Sequence, residues 1–239
     1  MPSERYFHDK KFVDKQVILE GLEFHHLAHV MRSKAGDTVE LVNGQGELAQ
    51  GIIEAINKKN ALLNIQRVVK EAPPNYEVVL AQAVPRMGRL DFIVEKGTEL
   101  GMTQLFLFPT QRSERKQLTT HQLERLKAIA IAAMKQCGRL YLPQISICSS
   151  IAEAFKNQYI VFFGDVIPQA LPLVKVWAEQ KEIKAGVEFY IGPESGFNDD
   201  EIDLLKGKGA LGVKLHGNIL RTDTAALTAL SIIQQWLLN

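Results

Sequence analysis

The sequence predicts an α/β protein in two parts: a small β-rich unit followed by a larger domain in which strands alternate with helices around a mainly parallel sheet. Three observations carry this. Short β-prone runs recur at 16–19, 38–42, 48–56 and 61–68, separated by the turn residues Ala35-Gly36-Asp37, Asn43-Gly44-Gln45-Gly46 and Lys58-Lys59-Asn60, and a small barrel fits them. Glu71-Ala72-Pro73-Pro74-Asn75 then breaks the pattern, because two prolines neither join a strand ladder nor continue a helix. Beyond it the hydrophobic period switches between that of strands and that of helices. The boundary is placed so that 1–72 form the first domain and 73–239 the second.

The elements follow in order. In the first domain, 23–32 has apolar residues at helical spacing and ends before Gly36. His25 and His29 stand four apart on that helix, but no acidic or thiol ligand lies nearby at a recognisable spacing. Polar helix surface, or RNA contact together with Arg32, fits them better than a metal. In the second domain the expected order is strand 76–83, helix 89–100 closed by Gly101, strand 105–108, and helix 120–134 capped by Thr120. Strand 160–163, helix 168–179, strand 187–191, helix 199–206, strand 213–215 and helix 225–238 complete it.

With 239 residues the chain should bury roughly 70–75% of its unfolded surface. Hydrophobic content of 46% and charged content of 23% are ordinary for a globular protein. A net charge of +1 supplies no global field for nucleic acid, so attraction to RNA must come from local patches. The N-terminal residues are charged and lack an apolar core, so no signal peptide is visible, and no run approaches a membrane span. Cys137 and Cys148 are the only cysteines and form no C-x-x-C, which points to a reducing cytoplasm and no structural metal.

Two loops stand out. Ile191-Gly192-Pro193-Glu194-Ser195-Gly196-Phe197-Asn198 leaves a short apolar strand and enters a helix announced by Asn198 with Glu201 three residues on. Glycine lets such a backbone approach a ligand closely. Glu194, however, would repel an anion, and neither a P-loop lysine nor a dinucleotide fingerprint is present. A positively charged ligand with adenine and ribose edges fits better. The second loop, His216-Gly217-Asn218-Ile219-Leu220-Arg221-Thr222-Asp223-Thr224, repeats the design, with Thr222 or Asp223 as helix cap. Ligands in open α/β sheets sit beyond the carboxyl ends of strands, so two such loops could close on one molecule. Between 110 and 140 basic residues outnumber acidic ones. Arg125 and Lys127 suit a solvated helix face, whereas Arg112 and Arg115, just past a strand end, could hold phosphate.

Five ordered motifs add a resemblance: Glu95-Lys96-Gly97-Thr98-Glu99-Leu100-Gly101, Arg112-Ser113, Gln136-Cys137-Gly138-Arg139, the loop from Ile191 to Phe197, and Leu220-Arg221-Thr222-Asp223-Thr224-Ala225. Together they resemble the ribosomal RNA small subunit methyltransferase E family of the SPOUT superfamily, which methylates uridine N3 in 16S ribosomal RNA. Arg5-Tyr6-Phe7, His26-Leu27, Val30-Met31-Arg32 and Gly36-Asp37 resemble that family's PUA-like RNA-binding domain, so the likeness covers almost the whole chain. It implies a trefoil knot in the second domain, a homodimer, and S-adenosylmethionine bound at the knot. Periodicity alone would not suggest a knot, since chains are generally unknotted.

Carried onto this sequence, the resemblance places the cofactor against Ile191, Gly192, Pro193, Glu194, Gly196, Leu215, Gly217, Ile219, Leu220, Thr224 and Ala225. Arg221 is the expected stabiliser of a uracil anion, because its charge is permanent. Glu194 is either a hydrogen-bond acceptor for the cofactor or the base. Arg5, Arg32, Arg112, Arg115 and Arg139 are the candidate RNA contacts. Cys137 is not expected to act as a nucleophile, since that strategy suits ring carbons. Three positions depart from the family pattern. Ser195 replaces a glycine and requires a negative φ, Asp223 replaces a glutamate, and Lys135 replaces a glutamate before the glutamine. The alternatives are methylation of another RNA position, such as a ribose hydroxyl or a transfer RNA, and a non-catalytic ribosome assembly factor.

Overall fold

A computed structural model describes residues 4–113, 117–155, 158–180 and 185–238. The chain divides into two compact units, one comprising 1–73 with 131–142 and the other 74–130 with 143–239.

The first unit is built on β1 (Arg5–Phe7), β2 (Gln16–Glu20), β3 (Thr38–Val42), β4 (Glu47–Ile56) and β5 (Asn60–Lys70), with α1 (Gly21–His25) after β2. They form one sheet in the order β1-β3-β4-β5-β2. All pairings are antiparallel except the parallel join of β1 to β3. Burial alternates along β4, as a strand with one core face requires, and two register shifts bend the β4–β5 ladder. Tyr6, Leu19, Leu41, Ala49, Ile53 and Leu63 meet there with Phe24 and Leu27.

The helix expected over 23–32 is not a single α-helix. After α1 the chain widens into a π-helical turn, His26–Val30, in which the Met31 N–H donates to the His26 carbonyl at 2.9 Å. Phe24 before the turn and Leu27 within it both reach the core. Arg32, at φ 57°, then ends the segment in the left-handed conformation that glycine usually supplies. β1 went unpredicted because three residues are too short to show a period.

Residues 131–142 complete this unit. Met134 and Leu140 pack on Val42, and Lys135 Nζ donates to Glu23 Oε1 at 2.7 Å. The family departure at Lys135 is thus a buttress to α1. Near the same place Glu47 is buried, its Oε2 accepting from the Phe12 N–H at 3.1 Å and from Asn43 Nδ2 at 2.9 Å. Lys70 Nζ lies 2.9 Å from Oε1, and its hydrogen bond holds the Glu47 carboxyl below its ordinary value against the opposing effect of burial.

The second unit contains β6 (Glu77–Ala83), α2 (Met87–Glu99), β7 (Gln104–Phe108), α3 (Thr120–Cys137, whose last turns belong to the first unit), β8 (Gln144–Ile147), α4 (Ile151–Ala154) and β9 (Ile160–Gly164). It continues through β10 (Leu171–Pro172), α5 (Leu173–Ala178), β11 (Gly186–Ile191), α6 (Asp199–Gly207), β12 (Leu211–Lys214) and α7 (Thr222–Leu237). Seven strands form one sheet in the order β10-β12-β9-β11-β6-β7-β8, every pair parallel. β11 is central and buried at all positions, Glu188 included. Ile151 and Ala154 of α4 and Leu205 of α6 cover one face of the sheet, against Ala81, Phe163 and Tyr190. On the other side α7 runs beside α2, where Gly97 leaves room for Met102. Stacking of Trp177 on Trp236, centroids 5.8 Å apart, ties α5 to α7.

Three expectations shift, and one strand, β8, had none. The helix over 168–179 is found only as α5, because Leu171–Pro172 first joins the sheet edge. The cap of α3 is Thr119, whose Oγ1 accepts from the Gln122 N–H at 3.3 Å, rather than Thr120. β8 was invisible because, as a largely exposed edge strand, it carries no apolar run. α7 starts three residues earlier than expected, with Arg221 rather than Thr222 or Asp223 at its N-cap. The cap of α6 is as expected: Asn198 Oδ1 accepts from the Glu201 N–H at 2.8 Å, and Glu201 Oε2 accepts from the Asn198 N–H at 2.9 Å. Among the described residues no helix is long and apolar enough to cross a membrane.

These contacts set two expectations for stability. Asn198→Ala should cost about 1 kcal/mol, read as a lower midpoint in urea unfolding. Because the Glu47 carboxyl titrates below its ordinary 4.5, its contribution is present above that pH and is lost as pH falls through the folded value. Glu47→Gln should therefore lower stability at pH 7 and flatten its loss below pH 4.5, measured by chemical unfolding at stepped pH.

Candidate active site

The carboxyl ends of β12, β9, β11 and β6 lie side by side in the sheet, and the two glycine-bearing loops leave β11 and β12 there. The first loop turns sharply: the Gly196 N–H donates to the Pro193 carbonyl at 2.9 Å, and Gly196 sits at φ +72° with open space where a Cβ would stand. Gly192 is confined in another way, since a Cβ there would stand 3.2 Å from the Phe197 nitrogen. Ser195 is not among the described residues with positive φ, so its replacement of a glycine carries no backbone strain.

Glu194 has partners in this unit. Its Oε1 accepts from the Arg86 N–H at 3.4 Å and lies 3.6 Å from Arg89 Nη1. Arg86 is the N-cap of α2, so the carboxylate sits where the helix dipole favours negative charge. This answers the puzzle of an acidic residue in a phosphate-type turn: its charge is countered from α2. Arg112 also belongs to the loop. Its Nη1 donates to the carbonyl oxygens of Ser195 at 3.3 Å and Phe197 at 3.4 Å, and Ser195 Oγ donates to the Arg112 carbonyl at 3.4 Å. Gln111 adds an N–H to Glu201 Oε1 at 3.0 Å.

The second loop is anchored at its end. Thr222 Oγ1 donates to the Gly192 carbonyl at 2.9 Å, and Gln82 Nε2 donates to Thr222 Oγ1 at 2.9 Å. The structure thereby brings Ile191, Gly192, Pro193, Glu194 and Gly196 to the same end of the sheet as Leu215, Gly217, Ile219, Leu220, Thr224 and Ala225. Leu215 lies just beyond β12 rather than inside it. Ile219 is 85% exposed, a large apolar side chain at a loop tip. Arg221 is exposed, with extended backbone at the start of α7. Asp223 Oδ1 is buried with no hydrogen-bond partner among the described residues, an acceptor that a hydroxyl or ammonium group would fill.

Two contributors were missed from the sequence. Gln82 looked like one polar residue in a strand. Asp165 follows β9, between the two loops, and its Oδ1 accepts from the Ile167 N–H at 3.1 Å. A Cβ at Gly212 would stand 2.7 Å from Asp165 Oδ2, so that glycine makes room for the carboxylate. The Gly164-Asp165 pair at a strand end was the available signal.

The candidate RNA contacts are dispersed. In the first unit Arg5 is largely internal, its Nε 3.1 Å from Glu40 Oε2 and its Nη1 donating to the Gly138 carbonyl at 2.8 Å. Arg32 is exposed and borders a cleft of about 420 Å³ shared with Glu4, Tyr6, Asp37 and Glu40. Arg139 is half-buried, and burial lowers its pKa from the ordinary value while Cys137 and Glu71 raise it. Arg112 lies in the second unit, and Arg115 falls outside the described residues. The His25 and His29 rings lie 5.1 Å apart with their planes tilted by 49°, and among the described residues no group of three or more potential ligands is arranged for a metal.

A parallel sheet with two close-turning loops meeting beyond its carboxyl ends defines an α/β protein built to hold a small ligand. A separate curled sheet accompanies it in the same chain. The chain belongs to the RNA methyltransferase family: the model of the RNA methyltransferase domain matches residues 71–234, and that of the RNA methyltransferase PUA domain matches 19–66. It is similar to the ribosomal RNA small subunit methyltransferase E of Buchnera aphidicola, 26% identical over 96% of this chain and 91% of that one. The protein of the same name from Bacillus subtilis is 28% identical, over 90% of this chain and 88% of that one. A protein of Legionella pneumophila, solved with the cofactor SAM bound, superposes with a TM-score of 0.89 at 25% identity, covering 99% of this chain and 98% of that one.

Proposed function

We propose that this chain transfers a methyl group from S-adenosylmethionine to N3 of a specific uridine in 16S ribosomal RNA, acting in the cytoplasm as a homodimer. The observation that carries the reading is the junction of the two loops through Thr222 and Gly192, at the sheet end where an α/β ligand is expected. The names of the Buchnera and Bacillus relatives and the cofactor of the Legionella protein support the same reaction.

The residues present fit the cofactor. The bends at Gly192 and Gly196 bring backbone close, Leu215, Ile219 and Leu220 offer apolar walls, and Asp223 Oδ1 offers an unused acceptor. When bound, S-adenosylmethionine supplies a methyl group already electrophilic at its sulfonium, without help from a metal. The chain's task is to orient the nucleophile and manage one proton. Positioning alone can contribute about 7–11 kcal/mol. Uridine N3 must lose its proton, and we assign the stabilisation of negative charge growing on uracil oxygens to Arg221, whose position at the start of α7 beside the first loop supports the role. Glu194, held by Arg89 and the α2 N-terminus, suits the part of acceptor for the cofactor better than that of base.

The trefoil knot of the resembling family is part of this proposal. α6 packs against β12, whereas α7, which follows β12, packs against β6, β11 and α2. The return of α7 from β12 to β11 and β6, past the intervening β9, supports that reading. Exposed Ile219 supports a second copy covering the loop.

Tritiated methyl transfer to naked 16S RNA and to assembled small subunits, followed by nucleoside identification, tests the reaction. Label in N3-methyluridine is expected, and label only in a ribose-methylated nucleoside would replace the uridine assignment. Gly196→Val forces a β-branched residue into the left-handed region, at a cost of about 1–2 kcal/mol. It should weaken cofactor binding by roughly tenfold in calorimetry while the fold persists. Arg221→Ala should lower turnover more than cofactor affinity, and equal losses would make it a binding residue only.

A further inference from the structure

We infer that Gln82 is a positioning residue of this site: its buried amide sets the spacing between the turn after β11 and the N-terminus of α7, and so between the cofactor loop and Arg221. The inference rests on the reading of the two loops given above. Gln82 is fully buried, and it is the one polar residue in the strand run Val78 to Ala83. Its Nε2 donates to Thr222 Oγ1 and to the Ala83 carbonyl, each at 2.9 Å, with the Ile191 carbonyl at 3.5 Å.

The polarity of this chain of hydrogen bonds is fixed. Thr222 has a single hydroxyl proton, and it goes to the Gly192 carbonyl. Thr222 Oγ1 can then only accept from Gln82, so the amide nitrogen must face it. Turning the amide over would set Oε1 against the Ala83 carbonyl. In the observed orientation Oε1 is buried without a partner among the described residues. A strand interior keeps such a group at a cost, and a methionine of similar length would fill the volume without it. What the glutamine provides is geometric: one side chain from β6 reaches the end of β11 and, through Thr222, the first residue of α7. Arg221 immediately precedes Thr222 at the N-cap, so a shift of Thr222 carries Arg221 with it.

The test uses the full chain and calorimetric titration with S-adenosylmethionine, paired with methyl transfer at saturating cofactor. If the unaltered protein binds no S-adenosylmethionine, the reading of the loops fails irrespective of Gln82. Given binding, Gln82→Met and Thr222→Val should each weaken affinity by roughly tenfold, the equivalent of one net hydrogen bond. The double variant should be no weaker than either single one, and Thr222→Ser, which keeps the hydroxyl, should retain affinity. Turnover of Gln82→Met should fall further than occupancy explains, because Arg221 moves. The inference is overturned if Gln82→Met loses only thermal stability, or if the two single losses add. Should Gln82→Met not fold, the Thr222→Val and Thr222→Ser pair decides, and unchanged affinity in the valine variant overturns it.

Discussion

The hydrogen bond from Thr222 Oγ1 to the Gly192 carbonyl joins residues 30 apart in sequence, and the site depends on it. β12 is separated from β11 by β9, so the loop after β12 has no neighbourly reason to meet the loop after β11. It does so because α7 begins against the ends of β11 and β6. Rigid parallel strands fix where the loops start, while one threonine hydroxyl and one buried amide fix how far apart they are held. Cyclic positioning of this kind suits chemistry in which orientation supplies most of the acceleration.

Electrostatics in the first loop follow from the same economy of parts. A turn of this shape presents backbone N–H groups and would ordinarily attract an anion. Glu194 occupies that role from within the chain, countered by Arg89 and the start of α2, and Arg112 braces the far side of the turn through two carbonyl oxygens. The loop therefore arrives with its acidic side chain already paired and oriented.

How much of this was legible in the sequence divides along the range of the interactions. Local signals were sufficient for the order of strands and helices, the Asn198–Glu201 cap and the glycine turns, because each is decided within four or five residues. Gln82 could not be found that way: a lone glutamine among valines, leucine and alanines is still a strand, and its meaning lies 140 residues away at Thr222. The π-helical turn at His26–Val30 is not legible because apolar spacing is compatible with either winding. Lys135 was read as a departure from a family pattern, and its partner Glu23 is 112 residues distant.

The first unit is not a contiguous stretch of chain. Val42 is packed by Met134 and Leu140, Arg5 is tied to the Gly138 carbonyl, and Gly46 exists in part because a Cβ would overlap the Tyr141 hydroxyl. At a translation rate of about 5–20 residues per second, several seconds separate the emergence of β5 from that of its last packing partners. During synthesis the nascent sheet therefore waits with part of its apolar surface uncovered, and excision at the double proline would leave that surface permanently bare.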